Sequence, residues 1–162
     1  MNRHNLPPSA LLLGLAGLLP FIGCGLMAVA VPEIQAVSWV FALCAYGAVV
    51  LAFLGGVHWG LVLGGPEDPA APLQVATRLA LGIAPSLIGW AAVLLALVTL
   101  GELGLAVLIV GFVAAILTES RLGRMGLVPP GYLWLRWLLS VIVLVVLVVV
   151  LVLRLIGAHI IF

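Results

Sequence analysis

LWLRWLLSVIVLVVLVVVLVLRLI, residues 133–156, decides the fold. No charged residue interrupts it between Arg136 and Arg154, and about 20 apolar residues are what a helix needs to cross a hydrocarbon core of roughly 30 Å. The stretch therefore reads as a transmembrane helix. Its valine-leucine part, 141–153, is low complexity of the kind that a lipid-facing anchor tolerates.

Working outward, four more stretches have spanning length: 9–31, 37–63, 76–99 and 103–122. The gaps between them carry breakers: Pro32 with Glu33, a Gly-Pro-acidic turn at 64–69, Gly101 with Glu102, and 123–131 with Pro129 and Pro130. No gap has room for a soluble domain. With 66% hydrophobic and 7% charged residues and a mean hydropathy of +1.46, too little polar surface exists to cover a water-soluble globule. The expected architecture is all-α, a polytopic integral membrane protein forming a five-transmembrane-helix bundle, with residues 1–162 as one transmembrane domain.

Alternation over five crossings puts Arg3, Arg78, Arg121, Arg124 and Arg136 on the N-terminal side and Arg154 alone on the other. The positive-inside rule then predicts a cytoplasmic N-terminus and a C-terminus on the opposite side. Arg3, the apolar run after it and Ala28-Val29-Ala30 resemble a cleavable signal peptide, but a signal core is about 7 to 15 residues. This run is of spanning length, so the helix is expected to be retained. Trp39, Trp59, Trp134 and Trp137 fall near span ends and suit aromatic belts, whereas Trp90 lies deeper.

A net charge of +1, with no basic stripe, excludes a nucleic-acid partner. Cys24 and Cys44 lie in apolar runs, where cysteine behaves as a small hydrophobe. They are expected at one depth of adjacent helices, where a disulfide is conceivable, and they are read as free. No catalytic, cofactor-binding or metal-binding set is predicted: there is no nucleophile with its base, no phosphate-cradling glycine loop and no paired-carboxylate site.

Two patterns stand out. Ala48, Ala52, Gly56, Gly60 and Gly64 recur every fourth residue and predict a helix-packing stripe of the small-xxx-small kind, against a helix of the same chain or of a second copy. In 76–99, Arg78, Gly82, Pro85, Ser86 and Gly89 share one helix face, expected to line the bundle interior. The candidate polar cluster is His58, Arg78, Ser86, Glu119 and Arg136. Its ionisable members come from four helices and lie within roughly 10 Å of the cytoplasmic boundary at 1.5 Å per residue. Ionisable groups at membrane depth are costly unless paired or facing a wet cavity. Two arginines against one glutamate leave the layer positive, which points to an anionic partner: lipid phosphate or a cardiolipin-like headgroup as the commonest anion at that depth, with a phosphorylated or carboxylate substrate as the sharper alternative.

The segment YGAVVLAFLGGVHWG, 46–60, resembles the signature of a domain-of-unknown-function family of small bacterial membrane proteins, with which the animal mitochondrial transmembrane protein 69 belongs. Ala84-Pro85-Ser86 with Trp90, and Pro129, Tyr132, Leu135-Arg136 and Ser140, extend the resemblance over most of the chain. The last block departs from the family pattern at Pro130-Gly131-Tyr132 and Leu139-Ser140. The resemblance implies a bacterial inner-membrane or mitochondrial multi-pass protein and directs attention to His58, Trp59, Pro85 and Arg136; it implies no activity.

Two functional readings follow. The first is a non-enzymatic assembly, scaffold or accessory subunit whose cytoplasmic layer engages anionic membrane lipid or a membrane-protein partner, including a second copy. The second is a small-molecule binding protein, carrier or membrane enzyme that uses a cavity lined by the polar cluster. A pocket among those side chains discriminates between them.

Overall fold

The computed structural model describes residues 8–64, 72–98, 101–125 and 130–157. Arg3, the turn at 65–69, Thr99 and Pro129 lie outside the described residues. Helices follow one another: α1 (Pro8–Ala16), α2 (Leu19–Ala30), α3 (Glu33–Leu63), α4 (Pro72–Val98), α5 (Gly101–Arg124) and α6 (Pro130–Leu155). With α1 and α2 counted as one span, Ser9–Ala30, five segments are long and apolar enough to cross a membrane. In lipid a helix satisfies its own backbone polar groups, and no strand occurs among the described residues.

The first span, expected over 9–31 with a kink at Pro20, is broken into two helices. Gly17 and Leu18 form a turn between α1 and α2, with a tightened bond from the Leu18 N–H to the Leu15 carbonyl at 3.0 Å. Pro20 is the cause: it has no N–H to donate and its ring crowds the preceding turn. The Tyr46 hydroxyl donates to the Gly17 carbonyl at 2.9 Å and so satisfies the backbone at the break. Tyr46 also sets its ring edge-on to Phe21, 5.0 Å away, which in turn meets Phe112 at 6.0 Å. These contacts join α2, α3 and α5 at the centre of the core. At its other end, α3 starts at Glu33, four residues before the sequence boundary at 37, because Pro32 caps it and accepts the N–H groups of Gln35 and Ala36.

The packing seam of α3 differs from the predicted stripe. α3 and α4 form the most extensive pairing in the bundle, and its closest approaches are Gly55 against Gly82 and Ala48 against Gly89. A Cβ on Gly82 would lie 2.9 Å from the Gly55 carbonyl oxygen, and one on Gly89 would lie 2.8 Å from the Ala48 Cα. Both seams step by seven residues, which returns to nearly the same helix face. A four-residue step instead advances about 40° per repeat at 3.6 residues per turn. The stripe Ala48, Ala52, Gly56, Gly60 and Gly64 thus starts in the seam and winds out of it: the last four are exposed, and a Cβ on Gly56 or Gly60 would touch nothing among the described residues.

The low-complexity run of α6 likewise has an inner face. Val143, Leu147 and Val150 are buried against the bundle, while Val141, Val145, Val148, Val149 and Val152 are exposed. When every residue is apolar, the helical period that separates the two faces leaves no trace in composition.

Candidate functional site

The polar layer is assembled from the ends of four helices. α5 carries Glu119 and α6 carries Arg136, 2% and 5% exposed, and the Arg136 Nε donates to Glu119 Oε2 at 2.7 Å. The adjacent rung joins the same helices: Trp137 Nε1 donates to Ser120 Oγ at 3.1 Å, and that hydroxyl donates to the Ile116 carbonyl at 2.6 Å. On the α3–α4 side, Trp59 Nε1 donates to the Leu79 carbonyl at 3.1 Å, which fixes the end of α3 that presents His58. His58 is 5% exposed and feels the charges of both Arg136 and Arg78.

A cavity of about 50 Å³ lies between these groups, bounded by His58, Glu119, Arg136, Pro85, Leu54 and Thr118 among others. Two of its lining residues carry buried polar atoms without hydrogen-bond partners among the described residues, His58 Nδ1 and Arg136 Nη2, and two residues outside that lining, Arg78 (Nε) and Tyr132 (the hydroxyl), carry two more. Buried polar groups are nearly always paired, and an unpaired one costs about 1–3 kcal/mol. Three of the four are donors only or hydroxyl, and the histidine nitrogen can donate as well. The layer thus holds unused donors, and its two guanidinium groups against one carboxylate leave it positive.

His58, Glu119 and Arg136 are therefore brought together, with Arg78 beside them. Ser86 is not: the α4 wall of the cavity is Leu81, Ala84, Pro85 and Ile88, and the half-buried Ser86 lies off that face. Tyr132 enters the layer in its place. Four residues before Arg136 on α6, it shares that residue's face, which was the signal available in the sequence. Two larger apolar cavities, about 350 and 300 Å³, adjoin the layer through Arg136. Both cysteine thiols are free, and no group of three metal-ligating side chains occurs among the described residues.

At the other end of the bundle a second ionic cluster escaped the sequence reading. Arg154 donates from Nε to Glu102 at 2.9 Å, from Nη2 to Glu33 at 2.6 Å and from Nη1 to the Ala28 carbonyl at 3.4 Å. Glu33 and Glu102 stand in the first turns of α3 and α5 and Arg154 in the last turn of α6, so the helix dipoles favour each charge where it sits.

Comparison with known proteins places the chain. The family described as Protein of unknown function (DUF3429) matches residues 6–152. The chain is 42% identical over 93 residues to transmembrane protein 69 of Xenopus tropicalis, covering 54% of this chain and 33% of that protein. It is 45% identical over 89 residues to transmembrane protein 69 of Mus musculus, covering 54% and 34%. The chain thus spans about a third of the length of the curated relatives it matches. No solved structure matches it.

Proposed function

Because the chain belongs to the DUF3429 family and is a multi-pass membrane protein, we propose its function from its own site: it binds an anionic headgroup in the buried layer of Arg136, Glu119, His58, Arg78 and Tyr132, and acts as a binding protein rather than a catalyst. The observation that carries the reading is the set of four buried polar atoms without partners among the described residues, two of them, His58 Nδ1 and Arg136 Nη2, on residues that wall a cavity in a positively charged layer. Their only shared demand is a hydrogen-bond acceptor carrying negative charge. In this reading the protein sits in the bacterial inner membrane with the arginine-rich end cytoplasmic, as the distribution of arginines favours. A C-terminal alkaline phosphatase fusion tests the orientation; activity only with a reporter on the cytoplasmic side contradicts it.

The binding experiment is quantitative analysis of amphiphiles that co-purify in mild nonionic detergent. Wild-type protein should retain anionic amphiphile above the level of the source membrane, and Arg78→Gln and Tyr132→Phe should lose it. Equal retention by all three sinks the reading.

The accessory-subunit reading retains one observation in its favour. Gly56 and Gly60 leave a smooth strip on the exposed side of α3, and small residues let helix backbones approach closely in lipid. Gly56→Leu should weaken cross-linking to a neighbouring helix if a partner or second copy seats there; unchanged cross-linking removes that support.

A further inference from the structure

We propose that the layer is the head end of a site for one long-chain carboxylate, whose hydrocarbon tail lies in the trough between the broken first span, α3 and α6. The inference rests on the anion-binding reading and deepens it by naming the ligand class.

Arg136 joins the polar layer to the apolar trough. It and Leu54 are walls of the polar cavity and of both apolar cavities. The two apolar cavities also share Leu13, Gly14, Phe53 and Leu139, so they adjoin as a trough, with Arg136 and Leu54 as the walls it has in common with the polar cavity. Each alone, at about 350 and 300 Å³, reaches the roughly 300–1,000 Å³ range of small-molecule sites. Tyr132, whose buried hydroxyl has no partner, lines the trough beside Arg136.

The trough follows from the break at Gly17-Leu18. Once Pro20 ends the first half of the span, α1 leaves the line of α2 and packs chiefly on α6. Gly14 permits that contact, since a Cβ there would come 2.8 Å from Leu139 Cδ1. The space left between α1 and α3 is walled by Leu13, Phe53 and Leu54. A cavity with such walls stays dry unless something apolar fills it. Water alone thus suits the polar pocket and not the trough.

Size and charge select the head. At about 50 Å³ the polar cavity holds a few water-sized groups, each needing roughly 10–15 Å³ of such volume. That is room for a carboxylate and not for a phosphoglycerol head. One added carboxylate balances the layer, two acids against Arg78 and Arg136 with His58 neutral. It also offers lone pairs to Arg136 Nη2 and His58 Nδ1 on that cavity's wall, with Tyr132 on the trough side of Arg136.

The test is saturable binding of tritiated palmitate to the full chain in nanodiscs of zwitterionic phosphatidylcholine, competed with unlabelled palmitate, hexadecanol, acetate and hexadecyl phosphate. Unlabelled palmitate should displace the label, while hexadecanol and acetate at the same concentration should not. Val49→Trp, at the exposed rim of the trough, should weaken binding by about tenfold, a difference of one decade in Kd. Tyr132→Phe should weaken it by a similar factor. Val110→Trp, exposed and outside the three cavities, should leave it unchanged. Displacement by acetate as effective as by palmitate overturns the tail claim and leaves the anion reading intact. Hexadecyl phosphate outcompeting palmitate overturns the carboxylate and again leaves the anion reading. Hexadecanol competing as well as palmitate overturns both. Absence of saturable binding overturns the proposal, with the co-purification experiment deciding the anion reading separately.

Discussion

The two ends of the bundle solve the same electrostatic problem in opposite ways. At the Arg154 end one guanidinium is enclosed by two carboxylates and a backbone carbonyl, and each of its three nitrogens donates. At the other end, among the described residues, Arg136 has a single carboxylate for a partner, its Nη2 is unused, and Arg78, His58 and Tyr132 add further unpaired atoms to the layer. The first cluster uses every nitrogen of its arginine, leaves Glu102 Oε2 without a partner among the described residues, and ties the ends of α2, α3, α5 and α6 together. The second is open toward a cavity. A buried ion pair is weak evidence for stability by itself. What separates a clasp from a site is whether the donors of the buried cation are used up.

The largest expected effect is at Arg136. Arg136→Met leaves Glu119 ionised and buried, and breaking a buried pair from one side costs about 3–5 kcal/mol, read from reversible unfolding of the protein in lipid. Glu119→Leu/Arg136→Met should regain most of that stability, because well-packed apolar replacements of a buried pair are commonly neutral. If the double variant remains as unstable as the single, other members of the layer depend on the pair and the contrast between the two ends weakens.

Arg154→Met should cost less, about 1.5–3 kcal/mol for the one charge-assisted hydrogen bond it makes to a largely buried carboxylate, Glu102. The Glu33 side chain is 57% exposed and keeps its hydration when the arginine is gone. A loss exceeding that of Arg136→Met would reverse the assignment of closed and open ends.

The smallest effects compare two tyrosines. Tyr46→Phe removes a hydroxyl with a partner and should cost about 1 kcal/mol. Tyr132→Phe removes one without a partner, so the unliganded protein should be unchanged or slightly more stable. Equal losses in the two variants would show that the Tyr132 hydroxyl is already paired.

Much of this arrangement was legible in the sequence. Five spans follow from length and hydropathy, because lipid imposes the helix on any long apolar run. The meeting of His58, Glu119 and Arg136 followed from placing the arginine-rich helix ends at one level. What could not be read depended on rotation about helix axes. The four-residue glycine stripe looked like a seam, but its drift carries Gly56 and Gly60 away from α4 while Gly55 makes the contact. Ser86 and Tyr132 exchanged places for the same reason. The Arg154 clasp was written in the sequence as three charges on one side of the membrane, Glu33, Glu102 and Arg154. Their pairing required knowing that α3, α5 and α6 end side by side. The break at Gly17-Leu18 was visible only as Pro20, and the trough beside it depends on where α1 goes afterwards.

The central claim, that one end is a site and the other a clasp, is tested most directly by the palmitate-induced rise in unfolding temperature in phosphatidylcholine nanodiscs. Wild type and Arg154→Met are predicted to show the same rise, the latter from a lower starting point, because ligand bound only to the folded state stabilises it irrespective of the clasp. Glu119→Leu/Arg136→Met is predicted to fold and show no rise. A rise that persists in the double variant, or one that vanishes in Arg154→Met, would contradict the account.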